Sequence, residues 1–385
     1  MGTNNRLLSL DVLRGITIAG MILVNNPGSW SYIYAPLAHA NWNGLTPTDL
    51  VFPFFMFIMG ISTYISLKKY QFRHNFATLQ KILKRVSVIF LIGVGIAWLS
   101  LFFRIYHDSG ELPFWQRLGT AAWNFENIRI LGVMQRLALT YGATALIAIF
   151  IRHKYIPYGA GGILFLYFFI LYFGNGFEKS GNNIISIIDR AILGVNHMYK
   201  DGGIALDPEG LLSTIPSVCH VLIGFYCGKM TLETNDNFKR ILRLFIFGTI
   251  LTFSGFLLSY GCPINKKIWS PTFVLTTCGL GASFLALLIW IVDCKGYKKW
   301  SLFFESFGVN PLFIYVAAGV ISILIRSIYF TYSGESVNIQ KYVYSIILQP
   351  VLGDYFGSFV FALGFITICW LIGYILYKKK IFIKI

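Results

Sequence analysis

The chain has 385 residues, 56% of them hydrophobic and only 12% charged; a soluble domain carries about 25% charged residues, so a water-soluble globular protein is excluded and an integral membrane protein indicated. The 32 Lys and Arg against 16 Asp and Glu give a formal charge of +16. These basic residues fall in short clusters between apolar runs, so the charge reads as topological and not as a nucleic-acid surface.

A membrane helix needs about 20 predominantly apolar residues. Runs of that kind occur near residues 9–26, 49–67, 86–103, 130–151, 157–174, 211–228, 241–260, 271–292, 306–326 and 356–377. The expected fold is therefore all-α: a polytopic membrane helix bundle of about ten transmembrane helices, one integral-membrane domain over residues 1–385. Lys and Arg divide two to one in favour of the side that holds both ends of the chain, Arg6 and Lys384 among them, which places both termini in the cytoplasm. The longer connections, near residues 27–48, 104–129, 175–210 and 327–355, then gather on the opposite face, where irregular chain carries function. Within the last of them, residues 342–352 read as a re-entrant or interfacial piece. The first apolar run carries Asp11 and Arg14 and no small-x-small cleavage pattern, so it reads as retained and not as a cleaved signal.

Ionisable and amide groups inside apolar spans are functional candidates. In SLDVLRG, Asp11 and Arg14 stand at i, i+3 on one helical face; an interfacial ion pair and a ligand role weigh equally. The same span ends at Asn25-Asn26-Pro27-Gly28, where Pro27 stops the helix. The segment HANWNGLTPTD follows. A lone loop histidine is ordinarily solvated or structural, but His39 has Trp42 and Asn43 close by, Gly44 for a tight turn, Thr46 as a helix cap, Pro47 at the first helical position and Asp49 in the first turn. A carboxylate so placed can hold an imidazole tautomer and stabilise its charged form. In GVMQRLALTYG, Gln135 and Arg136 lie just inside a span; an arginine at that depth faces the bundle interior, either as a ligand for phosphate or carbonyl oxygen or as a counter-charge to Asp49 or Asp11. In LDPEGLLSTIPS, Asp207 and Glu209 precede a span with Pro208 between them. Carboxylates there complement a helix dipole and also suit a cationic or polyhydroxyl substrate. Six cysteines lack CxxC spacing, and no HxxxH, GxGxxG or GxxxxGK[ST] pattern occurs, so neither a metal nor a phosphate loop is expected.

The blocks LDVLRGITIAGMILVN, HANWNGLTPTDLVFPFFMFIMG, GVMQRLALTY, DPEGLLSTIPS, KKIWSPTFVLTTCGLG and NPLFIYV, in this order, resemble the transmembrane heparan-α-glucosaminide N-acetyltransferase family and its bacterial NagX-like members, over residues 8–315. The resemblance implies acetyl-CoA as co-substrate, bound from the cytoplasmic side, a terminal glucosamine amine as acceptor on the other side, and no metal. It assigns catalysis to His39, Asp49 and Asn25, with the histidine a base or a transient acetyl carrier. Trp42, Asn43, Asp207 and Glu209 are expected on the acceptor; Asp11, Arg14, Gln135, Arg136 and Asn310 are expected along the path of the donor. The chain departs from the lysosomal enzyme in lacking its extra N-terminal luminal region, which leaves free amino sugar and larger glycan both open as acceptors. The expected partners are an amino-sugar acceptor and membrane lipid, with a homodimer open as oligomeric state; the expected location is a bacterial inner membrane. Two rival readings stand beside this one. Ten spans with buried charge pairs also suit a secondary transporter for amino sugars, although no inverted repeat is evident, and another extracytoplasmic glycan could take the acyl group.

Overall fold

The computed structural model describes residues 7–383; Arg6 and Lys384, counted above with the basic side, lie outside the described residues. The chain opens with α1 (Leu8–Asn25), α2 (Pro47–Lys68) and the 33-residue α3 (Phe76–Asp108). A short α4 (Phe114–Ala122) precedes α5 (Val133–Phe150) and α6 (Ile156–Phe173). Then come α7 (Ile184–Leu193), a minimal hairpin of β1 (Lys200–Asp201) and β2 (Ile204–Ala205), and α8 (Leu211–Leu232). Next are α9 (Asn237–Leu258), α10 (Pro271–Leu288) with a π-helical extension over Ile289–Cys294, α11 (Ser301–Val309) and α12 (Pro311–Ser327). An antiparallel hairpin of β3 (Tyr329–Tyr332) and β4 (Glu335–Asn338) leads through α13 (Ile339–Lys341), a π-turn and α14 (Gln349–Leu352) to α15 (Asp354–Lys378).

Nine helices among the described residues are long and apolar enough to cross a membrane, and a tenth span is broken. The break is the 88° bend between α11 and α12. It falls at Asn310, because the ring of Pro311 disfavours helical geometry in the residue before it, and Asn310 duly sits at φ −125°, ψ 54°. At the start of α3 the helix reaches ten residues beyond the apolar run. Asn75 caps it through Thr78 N at 2.9 Å, so Lys81, Lys84 and Arg85 are helical. A helix needs apolar residues only where lipid surrounds it, and its polar first turns continue into water.

α1, α2, α5, α8 and α10 form the buried interior, while α3, α6, α9 and α15 present most of their surface outward. Helices α2 and α8 both start at one end of the bundle, with Asp49 in the first turn of α2 and Asp207 and Glu209 just ahead of α8. Arg14 braces the interior beneath them: it pairs with Asp11 at 3.0 Å and donates to Gly308 O at 3.1 Å and Ser62 Oγ at 2.9 Å.

Candidate active site

The segment between α1 and α2 is shaped by a capping box. Thr46 Oγ1 accepts from Asp49 N, and Asp49 Oδ2 accepts from Thr46 N at 3.2 Å and from Ala40 N at 3.1 Å. Gly44 takes φ +119°, a value that suits glycine, and turns the chain so that its N–H reaches Ile264 O at 2.8 Å. Asp49, 1% exposed, is thereby a fixed anion.

His39 Nδ1 lies 2.7 Å from Asp49 Oδ1. A carboxylate can only accept, so Nδ1 is the donor and Nε2 carries the lone pair; the side chain is 42% exposed. A third group closes the cluster. Lys266 Nζ stands 3.4 Å from the same Oδ1 and 3.2 Å from His39 Nδ1. Both nitrogens are donors, so Oδ1 holds them together. Burial pushes the Lys266 ammonium below the ordinary lysine value, against the pull of Asp49 and Glu209.

Lys266 belongs to a tightly built loop between α9 and α10. Asn265 Nδ2 donates to Asn43 Oδ1 at 3.0 Å, Tyr167 Oη donates to Ile268 O at 2.7 Å, and Lys267 Nζ reaches Asp201 Oδ2 at 2.7 Å. Trp269 adopts φ +51°, an uncommon conformation for a bulky residue. It is held there, 1% exposed, by the rings of Phe52, Phe273 and His220 and by Arg136, whose guanidinium lies 5.0 Å from its ring centre. Such strain persists where the surroundings over-determine it, as at ligand sites.

The remaining expected residues separate into three groups. Asp207 and Glu209 share Arg129: Nε donates to Asp207 Oδ2 at 3.0 Å and Nη2 to Glu209 Oε2 at 2.7 Å. Asp207 also accepts from Tyr199 N and Glu209 N and is fully buried, so it builds the turn, and Glu209 is the more open of the two. Burial would raise the Glu209 carboxyl, but Arg129, Arg136 and Lys266 hold it below its usual range. Arg136 is fully buried and pairs with neither Asp49 nor Asp11 among the described contacts; it grips Gly210 O at 3.2 Å and Ser213 Oγ. Trp42 donates to Phe177 O at 2.8 Å.

The second group lines two cavities that share a seam among α1, α3, α5 and α12. One, of about 440 Å³, opens toward the His39 end and is bordered by Asn25, Arg129, Gln135 and Tyr315. The other, of about 720 Å³, lies toward the Lys68 end and is bordered by Arg14, Lys81, Lys84, Arg85 and Tyr141. Ile89 lines one and Gly93 the other, a single helical turn apart on α3. The third group is Asn310 alone, whose amide holds the segment after α15, with Nδ2 donating to Ile381 O and Oδ1 accepting from Ile383 N, both at 2.8 Å. His39 borders neither cavity; Arg129 lines the smaller one and pairs with Glu209, whose charge acts on Lys266 beside His39. Among the described residues no group of three His, Cys, Asp or Glu is gathered for a metal.

The chain has known relatives. A family model described as heparan-alpha-glucosaminide N-acetyltransferase, catalytic, matches residues 6–260. The chain belongs to that family. It is 30% identical to the heparan-alpha-glucosaminide N-acetyltransferase of Mus musculus and 30% identical to that of Homo sapiens, each over 99% of this chain. The chain spans about three-fifths of the length of these curated relatives, 61% and 60% respectively. The family match takes in His39, Asp49, Arg129 and Glu209 and stops short of Lys266. Sequence reasoning missed Lys266 for a related reason: it is 227 residues from His39, and nothing local in KKIW marks which of two adjacent lysines turns inward.

Proposed function

We propose that the protein is an acetyl-CoA-dependent N-acetyltransferase of a bacterial inner membrane that moves the acetyl group from a cytoplasmic donor to the amine of glucosamine, or of a terminal glucosamine residue, on the extracytoplasmic side. The observation that carries the reading is the His39–Asp49 pair, at 2.7 Å, with 42% of the histidine side chain exposed. It stands at one end of a seam whose other end is a basic cavity. That cavity suits the anionic nucleotide of the donor: Arg14, Lys81, Lys84 and Arg85 border it, and Arg85 Nε is buried there without a hydrogen-bond partner. The seam runs from Arg14 to Asn25, eleven residues of α1 or about 17 Å, on the order of the length of a pantetheine arm.

In this reading His39 Nε2 removes a proton from the attacking amine or carries the acetyl group transiently, and Asp49 keeps Nδ1 protonated and the ring in place. Asn25, exposed at the wall of the smaller cavity, is one donor for the oxyanion; Asn43, whose carbonyl oxygen is taken by Asn265, offers its NH2 as another. Glu209 and Trp42 border the place of the sugar. The test is transfer of radiolabel from acetyl-CoA to glucosamine by the purified protein. His39→Ala should reduce it by about 10²- to 10⁴-fold, the share ordinarily contributed by a general base, with folding retained. Absence of transfer by folded wild type across several amino sugars would overturn the reading; acetyl trapped on His39 would select the two-step route.

A further inference from the structure

An amine acceptor arrives in neutral water largely as an ammonium. That form is drawn to carboxylates and has no lone pair with which to attack. Asp49 is the carboxylate beside His39, and its charge is already taken. Oδ2 accepts from Ala40 N, Thr46 N and Thr46 Oγ1, and Oδ1 faces His39 Nδ1 at 2.7 Å and Lys266 Nζ at 3.4 Å. The Lys266 side chain is 18% exposed and that of Asp49 1%, so the lysine stands with His39 between the carboxylate and the outside. We propose that Lys266 is a specificity-determining positioning residue: a built-in ammonium that fills the cation site of Asp49, so that the acceptor enters as a neutral amine directed to His39 Nε2.

The proposal rests on the functional reading above and adds the protonation state of the acceptor to it. The other charges around Lys266 do not substitute for it. Glu209 is held by Arg129, and Asp201 by Lys267 and Lys179. Removing the Lys266 charge therefore leaves Asp49 as the uncompensated anion, open to an incoming ammonium. A fixed cation also disfavours a second positive charge nearby, which helps a bound acceptor lose its proton.

The experiment compares wild type, Lys266→Met, Lys266→Gln and Lys266→Arg, each as the full chain in detergent, with glucosamine as acceptor and N,N,N-trimethylglucosaminium as a permanent cation that cannot be acetylated. In Lys266→Met, kcat should fall by about tenfold or more while KM for glucosamine stays level or drops, the pattern of tighter but unproductive binding. The trimethylammonium sugar should inhibit Lys266→Met at a concentration at least about tenfold lower than wild type and raise its melting temperature, and Lys266→Arg should behave as wild type in both respects. Adding Asp49→Asn should abolish the new cation binding. A loss of kcat with a rising KM and no gain in affinity for the quaternary ammonium, in both Lys266→Met and Lys266→Gln, would overturn the proposal and leave the lysine a structural tie. The melting measurement needs no turnover, so absence of transfer by wild type would count against the functional reading alone and the cation-binding result would still decide this one.

Discussion

Asp49 serves two structures at once, and so its substitution separates them. Its Oδ2 closes the capping box of α2, and its Oδ1 orients His39. Asp49→Asn keeps the shape and one good acceptor, so the helix start should lose no more than about 1 kcal/mol, whereas an amide nitrogen turned toward Nδ1 selects the wrong tautomer. The expected result is a fall in kcat of about 10²- to 10⁴-fold in a protein that still folds, with a melting temperature lowered because the Lys266 ammonium loses its counter-charge; a lowered melting temperature with kcat unchanged would assign Asp49 to the fold alone. Asp189 offers a contrasting carboxylate. Its Oδ1 accepts from Leu211 N at 2.9 Å and Leu212 N at 3.2 Å at the start of α8, and it is fully buried. Burial raises its carboxyl to about 6, against those two N–H donors and Arg136. A folded value above the unfolded one means that the folded state holds the proton more tightly. The associated stability is complete below the unfolded value of 3.8 and is lost as pH rises through about 6. Wild type should therefore lose up to about 3 kcal/mol between pH 4 and pH 7 that Asp189→Asn does not, read as melting temperature against pH; superimposable profiles would show that Asp189 does not titrate in that window.

Helices α2 and α8 carry the two halves of the proposed acceptor side, and their crossing sets how far apart those halves stand. The crossing is made by glycine: a Cβ on Gly60 would meet Val221 O at 2.1 Å, and one on Gly224 would meet Phe57 O at 2.1 Å. Both glycines lie thirteen residues into their helices, about 20 Å below the site, where small residues let membrane helices touch backbone to backbone. Gly224→Ala must push the pair apart, at a cost of about 1–3 kcal/mol, and should raise KM for the acceptor more than KM for acetyl-CoA, because Asp49 and Glu209 stand at the starts of the two helices that part, whereas the larger cavity has one wall on α2 and none on α8. Equal changes in both constants would mean that the crossing transmits nothing specific to the site. Most elements of this kind were legible from apolar run length, and the start of α2 from TPTD, because lipid and capping leave strong local signals. The bend at Asn310 was not: Pro311 opens a helix as naturally as it breaks one, and nothing local in FGVNPLF distinguishes the two.

Across the whole molecule the proposed chemistry is divided between two ends of one bundle, and legibility divides in the same way. His39 and Asp49 stand ten residues apart and announce their pairing, whereas Lys266 joins them only because the α9–α10 loop folds onto Asn43 and Gly44. Gln135 and Arg136 are neighbours in sequence, but one faces a cavity and the other the root of α8; a buried helix with few charges gives no periodicity from which to choose. The two-ended arrangement makes a prediction of its own. If the basic cavity holds the nucleotide, replacing Lys81, Lys84 and Arg85 together by Gln should raise KM for acetyl-CoA by at least about tenfold, since one lost charge-assisted hydrogen bond is about 1.5 kcal/mol. KM for glucosamine should stay unchanged, because those side chains lie at the other end of the seam from His39. In sealed vesicles with the protein in one orientation, acetyl-CoA supplied only at the Lys81 face and glucosamine only at the His39 face should suffice for transfer, and the reverse supply should give none. Transfer with both substrates confined to the His39 face would mean that the donor does not enter through the basic cavity, and the seam would then be a feature of packing without a part in the reaction.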